Sequence, residues 1–314
     1  MSTTHSAFTA KDIAQDIAQA LAAHHATMLA GEAVAYAHAV HDTDSAHSAE
    51  MAGVLQGCRM LGFLEHDAQC VTTAWQAQTQ RTGQFSLADW PCAPQDFGIA
   101  LSPRTTAFPA CPHDLGLYAV LPTAQWVQRM AQAGVPTVQL RFKSDDTQAI
   151  RQEVRAAVRA VEGTAAKLFI NDHWRIAIEE GAYGVHLGQE DMDDAPIDQL
   201  RTAGLRLGLS THGYAEMLRA DAVSPSYLAL GAVFPTTLKR MQTAPQGTGR
   251  LYAYAKLMQH SPLVAIGGID EARIPVVMQS GVGSIAVVRA ITEAANPENA
   301  AHSMQTLIQK HQLK

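Results

Sequence analysis

The sequence predicts an α/β protein in which a (β/α)8 TIM barrel follows a small, mainly α-helical N-terminal domain. Three observations predict this fold: eight short apolar runs, helical stretches between the runs, and a change of pattern near residues 103–112. The runs are rich in Val, Ile and Leu, as in parallel strands that are buried on both faces. Eight strand–helix units favour a closed barrel over a doubly wound open sheet, because no glycine-rich turn follows the first run.

The N-terminal domain, residues 1–102, is expected to be helical. Ile13, Ile17 and Leu21 recur every four residues, which is the spacing of one helix face. Thr9 and Asp12 have the spacing of a capping box at the start of this helix. The helices of this domain are predicted over residues 11–29, 32–41, 49–64 and 72–80.

Beyond residue 102 the pattern changes. Three prolines within residues 103–112 predict a linker, which we place at residues 103–114. The barrel is predicted over residues 115–314. Its strands are predicted over residues 116–121, 137–142, 168–170, 184–187, 205–209, 227–233, 263–266 and 284–288. Helices are expected between the strands and after the last one, for example over residues 147–161, 214–222 and 297–310.

Composition and charge exclude several classes of protein. No apolar run reaches about 18 residues, so no membrane partner is expected. No basic segment precedes an apolar run at the N-terminus, so a cytoplasmic location is expected. Residues 1–112 carry four Lys or Arg and ten Asp or Glu, and no basic face predicts a nucleic-acid partner. The four cysteines form no C-x-x-C pair, and a homo-oligomer is left open.

Polar residues lie at or directly after the ends of six predicted strands, where the chemistry of a parallel barrel collects. These residues are Arg141 and Lys143 at the end of the second strand, Asn171 and Asp172 after the third, Gln189, Glu190 and Asp191 after the fourth, Ser210, Thr211 and His212 after the fifth, residues 234–239 after the sixth, and Gly267 and Gly268 after the seventh. Ordinary loop polarity is the alternative for the whole set.

Gln139, Arg141 and Lys143 alternate along the second predicted strand, so we expect all three side chains on one face. Two cations on one face favour a phosphate or pyrophosphate between them. An exposed strand end with solvated charges is the alternative interpretation.

Asp172 and Asp191 follow neighbouring predicted strands. Two carboxylates that face a cationic pocket suit Mg²⁺ bound between protein oxygens and substrate phosphates. Salt bridges to Arg141, Lys143 or Lys239 are the alternative for each carboxylate.

Gly267 and Gly268 come before a predicted helix, and their backbone N–H groups could hold a phosphate there. A tight turn is the alternative use of two glycines. His186 lies inside a predicted strand and is expected to be structural, whereas His212 is expected to have at most a minor role.

With these residues in place, the chain from about residue 115 onward resembles the thiamine phosphate synthase family. The resemblance rests on six motifs in a fixed order: QLRFK at 139–143, ND at 171–172, GVHLGQED at 184–191, GLSTH at 208–212, GAVFPTTLK at 231–239 and IGGI at 266–269. The resemblance implies a transferase that joins a hydroxymethylpyrimidine diphosphate to a thiazole phosphate and releases pyrophosphate. It also implies that catalysis is chiefly stabilisation of the departing pyrophosphate, with Mg²⁺ as cofactor.

The resemblance also assigns residues to each ligand. For the diphosphate substrate it implies Gln139, Leu140, Arg141, Phe142, Lys143, Asn171, Ser210 and Lys239, with Arg141, Lys143, Ser210 and Lys239 as catalytic residues. For the thiazole phosphate it implies Thr236, Thr237, Leu238, Gly268, Val288 and Arg289, and for Mg²⁺ it implies Asp172 and Asp191.

Two positions depart from the family pattern. Leu238 stands where a second threonine is usual, and Arg289 stands where a small polar residue is usual. We expect both changes to affect thiazole phosphate binding and to leave the pyrophosphate side intact. The alternative functions are a related barrel that acts as a thiazole tautomerase, and a non-catalytic protein that binds a thiamine-pathway ligand.

Overall fold

The structure is a computed structural model of the chain that describes residues 9–29, 48–101, 104–236 and 244–312. The described residues form two compact units. One contains the residues up to Ala100 together with Gly213–Ala215 and 244–245, and the other contains the rest. In the described part of the chain, no helix is both long and apolar enough to span a bilayer.

The first unit is helical, as predicted. Its elements are α1 (Ala10–Leu29), α2 (Ala49–Met60), α3 (Glu65–Thr82) and a short 3-10 helix (Pro94–Phe97). The predicted capping box is present, since the Asp12 amide donates to Thr9 Oγ1 at 3.2 Å and the Thr9 amide donates to Asp12 Oδ2 at 2.9 Å. The helix predicted over residues 32–41 lies outside the described residues.

Close helix packing and an ion pair stabilise this unit. A Cβ atom on Gly53 of α2 would lie 2.5 Å from Ile17 Cγ2 of α1, so glycine is needed where these helices touch. Arg81 donates two hydrogen bonds to the Asp96 carboxylate, at 2.8 and 2.6 Å, and so fastens the 3-10 helix to α3. A bidentate pair of this kind fixes orientation as well as position.

The second unit confirms the predicted barrel. Its described residues form eight parallel strands in the order of the sequence, and the first strand closes the barrel on the last. The strands are β1 (Gly116–Leu121), β2 (Thr137–Leu140), β3 (Lys167–Asn171), β4 (Gly184–Leu187), β5 (Arg206–Thr211), β6 (Tyr227–Leu230), β7 (Leu263–Ile266) and β8 (Ser284–Val287).

Helices cover the outside of this barrel. They are α4 (Ala124–Gln132), α5 (Thr147–Ala160), α6 (Trp174–Glu179), α7 (Gln189–Asp194), α8 (Ile197–Thr202), α9 (Tyr214–Ala222), α10 (Gly247–Leu257), α11 (Ile274–Met278), α12 (Arg289–Thr292) and α13 (Pro297–Gln312). In α5 the buried residues Ile150, Val154 and Ala157 recur at helical spacing and form its inner face. Asp146 caps this helix by accepting a hydrogen bond from the Gln148 amide.

The second strand is shorter than the sequence predicts. It ends at Leu140, which pairs with Leu121, the last residue of β1. The Arg141 amide still donates to the Leu121 carbonyl at 2.8 Å, but β1 provides no partner beyond that point. Strand alternation therefore gives no reason to place Arg141 and Lys143 on one face, because both residues follow the strand, and their shared face stays a prediction.

Candidate active site

A chain of hydrogen bonds crosses the interior of the barrel and begins at Asn171, the last residue of β3. Gln139 of β2 donates from Nε2 to Asn171 Oδ1 at 3.0 Å. Tyr118 of β1 donates its hydroxyl hydrogen to Gln139 Oε1 at 2.9 Å. Gln139 is 5% exposed and Tyr118 is 1% exposed, so water competes little for these bonds.

The same chain continues to β5. The hydroxyl oxygens of Tyr118 and Tyr227 lie 2.8 Å apart. His186 of β4 links Tyr227 to Ser210, with Nδ1 at 2.7 Å from the phenol oxygen and Nε2 at 2.8 Å from Ser210 Oγ. Five hydrogen bonds therefore connect Asn171 with Ser210, two residues that the family resemblance assigns to the diphosphate substrate.

Both phenols in this chain are neutral. Burial raises the pKa of Tyr118 well above its ordinary value, and a hydrogen bond with Tyr227 offsets only part of that effect. Burial also raises the pKa of Tyr227, and Tyr118 raises it further. Each phenol therefore keeps its one O–H group and donates one hydrogen bond.

Asp172 lies beside this chain in a left-handed backbone conformation, with φ of 63°. Its amide donates to the His186 carbonyl at 3.0 Å, which fixes the start of the loop after β3. Burial raises the pKa of the Asp172 carboxyl, and the negative charge of Asp191 raises it further. His173, Lys143 and Arg141 lower the same pKa, so these three side chains lie within electrostatic reach of the carboxylate.

Asp191 is the third residue of α7 and caps that helix. Its Oδ2 atom accepts a hydrogen bond from the Gly188 amide at 3.0 Å. Its negative charge raises the pKa of Asp172, as expected for carboxylates that follow neighbouring strands. The second predicted metal ligand and the two predicted cations Arg141 and Lys143 therefore all act on Asp172.

The glycines after β7 are needed because two loops approach each other closely. Gly267 has φ of 103°, and a Cβ atom on it would lie 2.5 Å from Ala232 Cβ. Gly268 has φ of 65°, and a Cβ atom there would lie 2.6 Å from the Pro235 carbonyl oxygen. Arg273 stacks its guanidinium 4.6 Å above the Phe234 ring and so holds the loops after β6 and β7 together.

The helix expected directly after these glycines is replaced by a 3-10 turn (Glu271–Arg273), and α11 starts only at Ile274. Asp270 Oδ1 accepts a hydrogen bond from the Arg273 amide at 3.1 Å and caps this turn. Asp270 thus binds a backbone N–H group at the start of this turn, where the sequence predicts donors to a phosphate. The Gly268 amide and the loop after β8 remain as predicted phosphate donors.

The other predicted residues occupy different environments. Leu140 is buried, and the Phe142 carbonyl lies 3.2 Å from His173 Nε2. Val288 precedes α12, and Arg289 is its first residue. Thr236 is half-buried after β6. Thr237, Leu238 and Lys239 lie outside the described residues.

Two residues of the hydrogen-bond chain are absent from the sequence-based candidates. Tyr118 and Tyr227 lie in strands whose other residues are apolar, and an aromatic residue in such a strand is usually a core residue. The expectation that His186 is structural agrees with its burial, yet the residue also reaches Ser210. His212 is held by Glu216, whose Oε2 lies 2.6 Å from His212 Nδ1.

Cations and paired carboxylates at the C-terminal ends of barrel strands define a barrel enzyme that binds phosphorylated substrates. The family model described as thiamine monophosphate synthase matches residues 117–291. The chain therefore belongs to the thiamine monophosphate synthase family.

Individual proteins show the same relationship. The chain is 54% identical over 200 residues to a thiamine-phosphate synthase of Neisseria meningitidis serogroup B, covering 64% of this chain and 98% of the relative. It is 48% identical over 205 residues to one of Serratia proteamaculans, covering 65% and 97%. A solved thiamine phosphate pyrophosphorylase from Pyrococcus furiosus superposes with a TM-score of 0.57 at 26% identity, covering 63% and 96%. These matches leave about a third of this chain outside the shared region.

Proposed function

We propose that this chain condenses hydroxymethylpyrimidine diphosphate with thiazole phosphate and releases thiamine phosphate and pyrophosphate. One observation carries the proposal: Arg141, Lys143 and Asp191 all act electrostatically on Asp172, which follows β3 at the C-terminal end of a barrel of this family. Cations and a carboxylate pair in one place suit a ligand that is itself a polyanion with a bound metal.

The cations stabilise the leaving group. When the bond between the pyrimidine methylene carbon and the diphosphate oxygen breaks, negative charge grows on that oxygen. Arg141 can bind a phosphate group with two parallel hydrogen bonds, and Lys143 adds a mobile point charge. Groups already placed where charge develops lower the barrier without having to reorganise. Lys239, known here from the sequence alone, would add a third cation from the loop after β6.

The carboxylate pair fits Mg²⁺. Asp172 and Asp191 supply hard oxygen ligands, and a cation between them would favour the ionised form of Asp172, whose pKa is raised by burial and by Asp191. Among the described residues no group of three or more His, Cys, Asp or Glu side chains could hold a metal ion. Substrate phosphate oxygens and water would complete the coordination, as is usual for Mg²⁺. Bound there, Mg²⁺ would neutralise charge on the diphosphate.

The thiazole phosphate is assigned to the loops after β6, β7 and β8. Thr236 offers a hydroxyl group, and Gly268, Val288 and Arg289 offer backbone N–H groups. The close approach of Gly268 to Pro235 supports this assignment, because it brings the loops after β6 and β7 together at one place. A phosphate between such loops receives several N–H donors from a rigid backbone.

The test uses the purified full chain with both substrates and Mg²⁺, and it measures thiamine phosphate and pyrophosphate separately. We expect both products in equal amounts, and neither product when one substrate is left out. Conversion of the thiazole phosphate to a tautomer without any thiamine phosphate would favour the tautomerase alternative. Binding of ligand without turnover would favour the non-catalytic alternative.

A further inference from the structure

We infer that Tyr118, Tyr227 and His186 are positioning residues. Through one directed chain of hydrogen bonds they determine which groups Asn171 and Ser210 present to the diphosphate substrate. The inference rests on the proposed function, because it concerns the substrate of that reaction. Its geometric basis is the unbroken chain between the two side chains.

The direction of the chain follows from the orientation of the Gln139 amide, which places Nε2 on Asn171 and Oε1 on Tyr118, and from counting hydrogens along the rest of the chain. Gln139 Oε1 can only accept, so the single hydroxyl hydrogen of Tyr118 is used there. The Tyr118 oxygen must then accept the hydrogen of Tyr227. The Tyr227 oxygen in turn must accept a hydrogen from His186 Nδ1, which is therefore the protonated ring nitrogen.

The two ends of the chain are set by this direction. When the His186 ring is uncharged and carries its one hydrogen on Nδ1, Nε2 accepts, so the hydroxyl hydrogen of Ser210 is committed to it. Ser210 then presents oxygen lone pairs to a ligand and suits an N–H donor. At the other end Asn171 Oδ1 accepts from Gln139, so Asn171 presents its two N–H hydrogens, which suit an anionic oxygen.

A reversed chain would exchange both properties at once. Ser210 would then donate its hydrogen to the ligand, and Asn171 would present its carbonyl oxygen. The two ligand contacts are therefore coupled, although the residues belong to different strands. The Ser210 main chain is held separately, since Gln189 donates to its carbonyl oxygen at 2.8 Å.

Rigid packing makes this coupling effective. Tyr118 is 1% exposed and Tyr227 is not exposed at all. Their ring centroids lie 5.8 and 5.1 Å from that of Phe169, which also lies in the barrel interior. An interior packed in this way leaves the phenol oxygens little room to find other partners. The loss of one hydrogen bond should therefore change the other hydrogen bonds of the chain.

The test begins with Tyr118→Phe, which keeps the ring and removes one link. Without the Tyr118 oxygen as acceptor, the Tyr227 hydroxyl can turn and donate to His186 Nδ1. The His186 ring should then shift to the tautomer with hydrogen on Nε2, which frees the Ser210 hydrogen. Nitrogen NMR of the full-length protein, labelled at its histidine ring nitrogens, reports the tautomer of His186. The His186→Gln variant identifies which signals belong to His186.

Tyr183→Phe is the matched control. The Tyr183 ring also packs against Phe169, with ring centroids 5.5 Å apart. Its hydroxyl forms a hydrogen bond with Cys111, which is not part of the hydrogen-bond chain. We expect hydrogen on Nδ1 of His186 in the wild type and in Tyr183→Phe, and a shift toward Nε2 in Tyr118→Phe. Hydrogen on Nε2 in the wild type, or no shift in Tyr118→Phe, would overturn the inferred direction.

Kinetics test the effect on the substrate. In Tyr118→Phe and Tyr227→Phe, kcat/KM for the diphosphate should fall about 3–10-fold, the net worth of one hydrogen bond, while KM for the thiazole phosphate stays the same. In the double variant, kcat/KM for the diphosphate should be no lower than in the less active single variant, because both changes break the same hydrogen-bond chain. Equal losses for both substrates, or additive losses, would mean that the tyrosines act only through the stability of the barrel.

These readouts separate the inference from the proposed function. The His186 tautomer is measured without turnover. It therefore decides the direction of the hydrogen-bond chain even if the protein makes no thiamine phosphate. In that case calorimetric binding of the pyrimidine diphosphate replaces the kinetic comparison. Unchanged diphosphate affinity in both phenylalanine variants would then overturn the positioning role.

Discussion

His186 Nε2 lies 2.8 Å from Ser210 Oγ, so a buried strand residue contacts a side chain that the family resemblance assigns to the substrate. The other ring nitrogen contacts Tyr227 at 2.7 Å, inside the barrel. The barrel interior and the strand ends are therefore connected by hydrogen bonds as well as by packing. Substitutions deep in the interior can for this reason alter the site without unfolding the barrel.

Gly268→Ala should weaken thiazole phosphate binding and destabilise the barrel. The added Cβ atom would lie 2.6 Å from the Pro235 carbonyl oxygen, and φ of 65° is unfavourable for alanine. The backbone cost alone is about 1–2 kcal/mol, and the steric conflict adds to it. Urea unfolding and KM for both substrates are the measurements.

Gly281→Ala is the control for this prediction, because Gly281 has φ of 87° and a Cβ atom on it would meet nothing within 4 Å. The free energy of unfolding of Gly281→Ala should fall only by the backbone cost, and its KM for both substrates should stay unchanged. If the two variants lose the same free energy of unfolding and bind thiazole phosphate equally well, the close approach of the loops after β6 and β7 is unimportant.

Asp172→Asn and Asp191→Asn should each raise the Mg²⁺ concentration needed for half-maximal activity, because each replaces an anionic oxygen ligand with a neutral amide. Asn can still accept the hydrogen bond that Asp191 receives from the Gly188 amide, so α7 should keep its cap. Activity is titrated against Mg²⁺ with both substrates saturating. Asp194→Asn, an exposed position on the same helix, is the control. Identical Mg²⁺ midpoints in all three variants would leave the two carboxylates with a structural role only.

Leu238→Thr should lower KM for the thiazole phosphate and leave KM for the diphosphate unchanged. The family resemblance motivates this change, since it implies a threonine at the position of Leu238. The gain should be about 0.5–1.5 kcal/mol, the net worth of one hydrogen bond. Leu238→Val has nearly the shape of threonine without its hydroxyl and should give no gain. An equal gain in both variants would show that size, rather than the hydroxyl, limits binding.

The sequence predicts much of this architecture because the strands are continuous apolar runs. The bounds of β1, β4 and β7 agree with the prediction to the residue. Strand ends are harder to predict, because they depend on the partner strand. β2 stops at Leu140 since β1 stops at Leu121, and nothing in the sequence of β2 marks that point.

The buried hydrogen-bond chain could not be predicted in the same way. Tyr118 and Tyr227 are 109 positions apart in the sequence, and only the closed barrel brings their hydroxyls together. The residues at strand ends could be found because polar side chains there contrast with apolar runs. Inside the strands a tyrosine gives no such contrast, since its ring is compatible with a core position.

Asp221→Asn should lower the free energy of unfolding near neutral pH. Arg104 donates to the Asp221 carboxylate at 2.8 Å, and His260 Nε2 lies 3.2 Å from it. Burial would raise the pKa of Asp221, but the hydrogen bonds from His260 and Arg104 outweigh it and hold the pKa below its ordinary value of 3.8. Loss of a hydrogen-bonded charge of this kind costs about 1.5–3 kcal/mol.

The pH dependence of this loss has a defined sign. A group whose pKa is lower in the folded than in the unfolded protein stabilises the fold above its unfolded pKa, and this contribution is lost as the pH falls through the folded pKa. The difference between wild type and Asp221→Asn should therefore shrink below about pH 4. Asp198→Asn, at an exposed surface pair with Arg201, should show little loss at any pH. A difference for Asp221→Asn that is constant down to strongly acid pH would contradict the assigned pKa.

Arg141 and Lys143 are proposed to stabilise the departing pyrophosphate, and a single-turnover measurement tests this role most directly. Enzyme in excess is mixed with pyrimidine diphosphate, thiazole phosphate and Mg²⁺, and pyrophosphate release is followed in wild type, Arg141→Met and Lys143→Met. Arg155→Met, at a surface pair with Glu180, is the control. We expect the activation free energy for pyrophosphate release to rise by about 2–4 kcal/mol in each site variant. The circular dichroism of the site variants and the release rate of the control variant should stay unchanged. Wild-type release rates in both site variants would contradict the account.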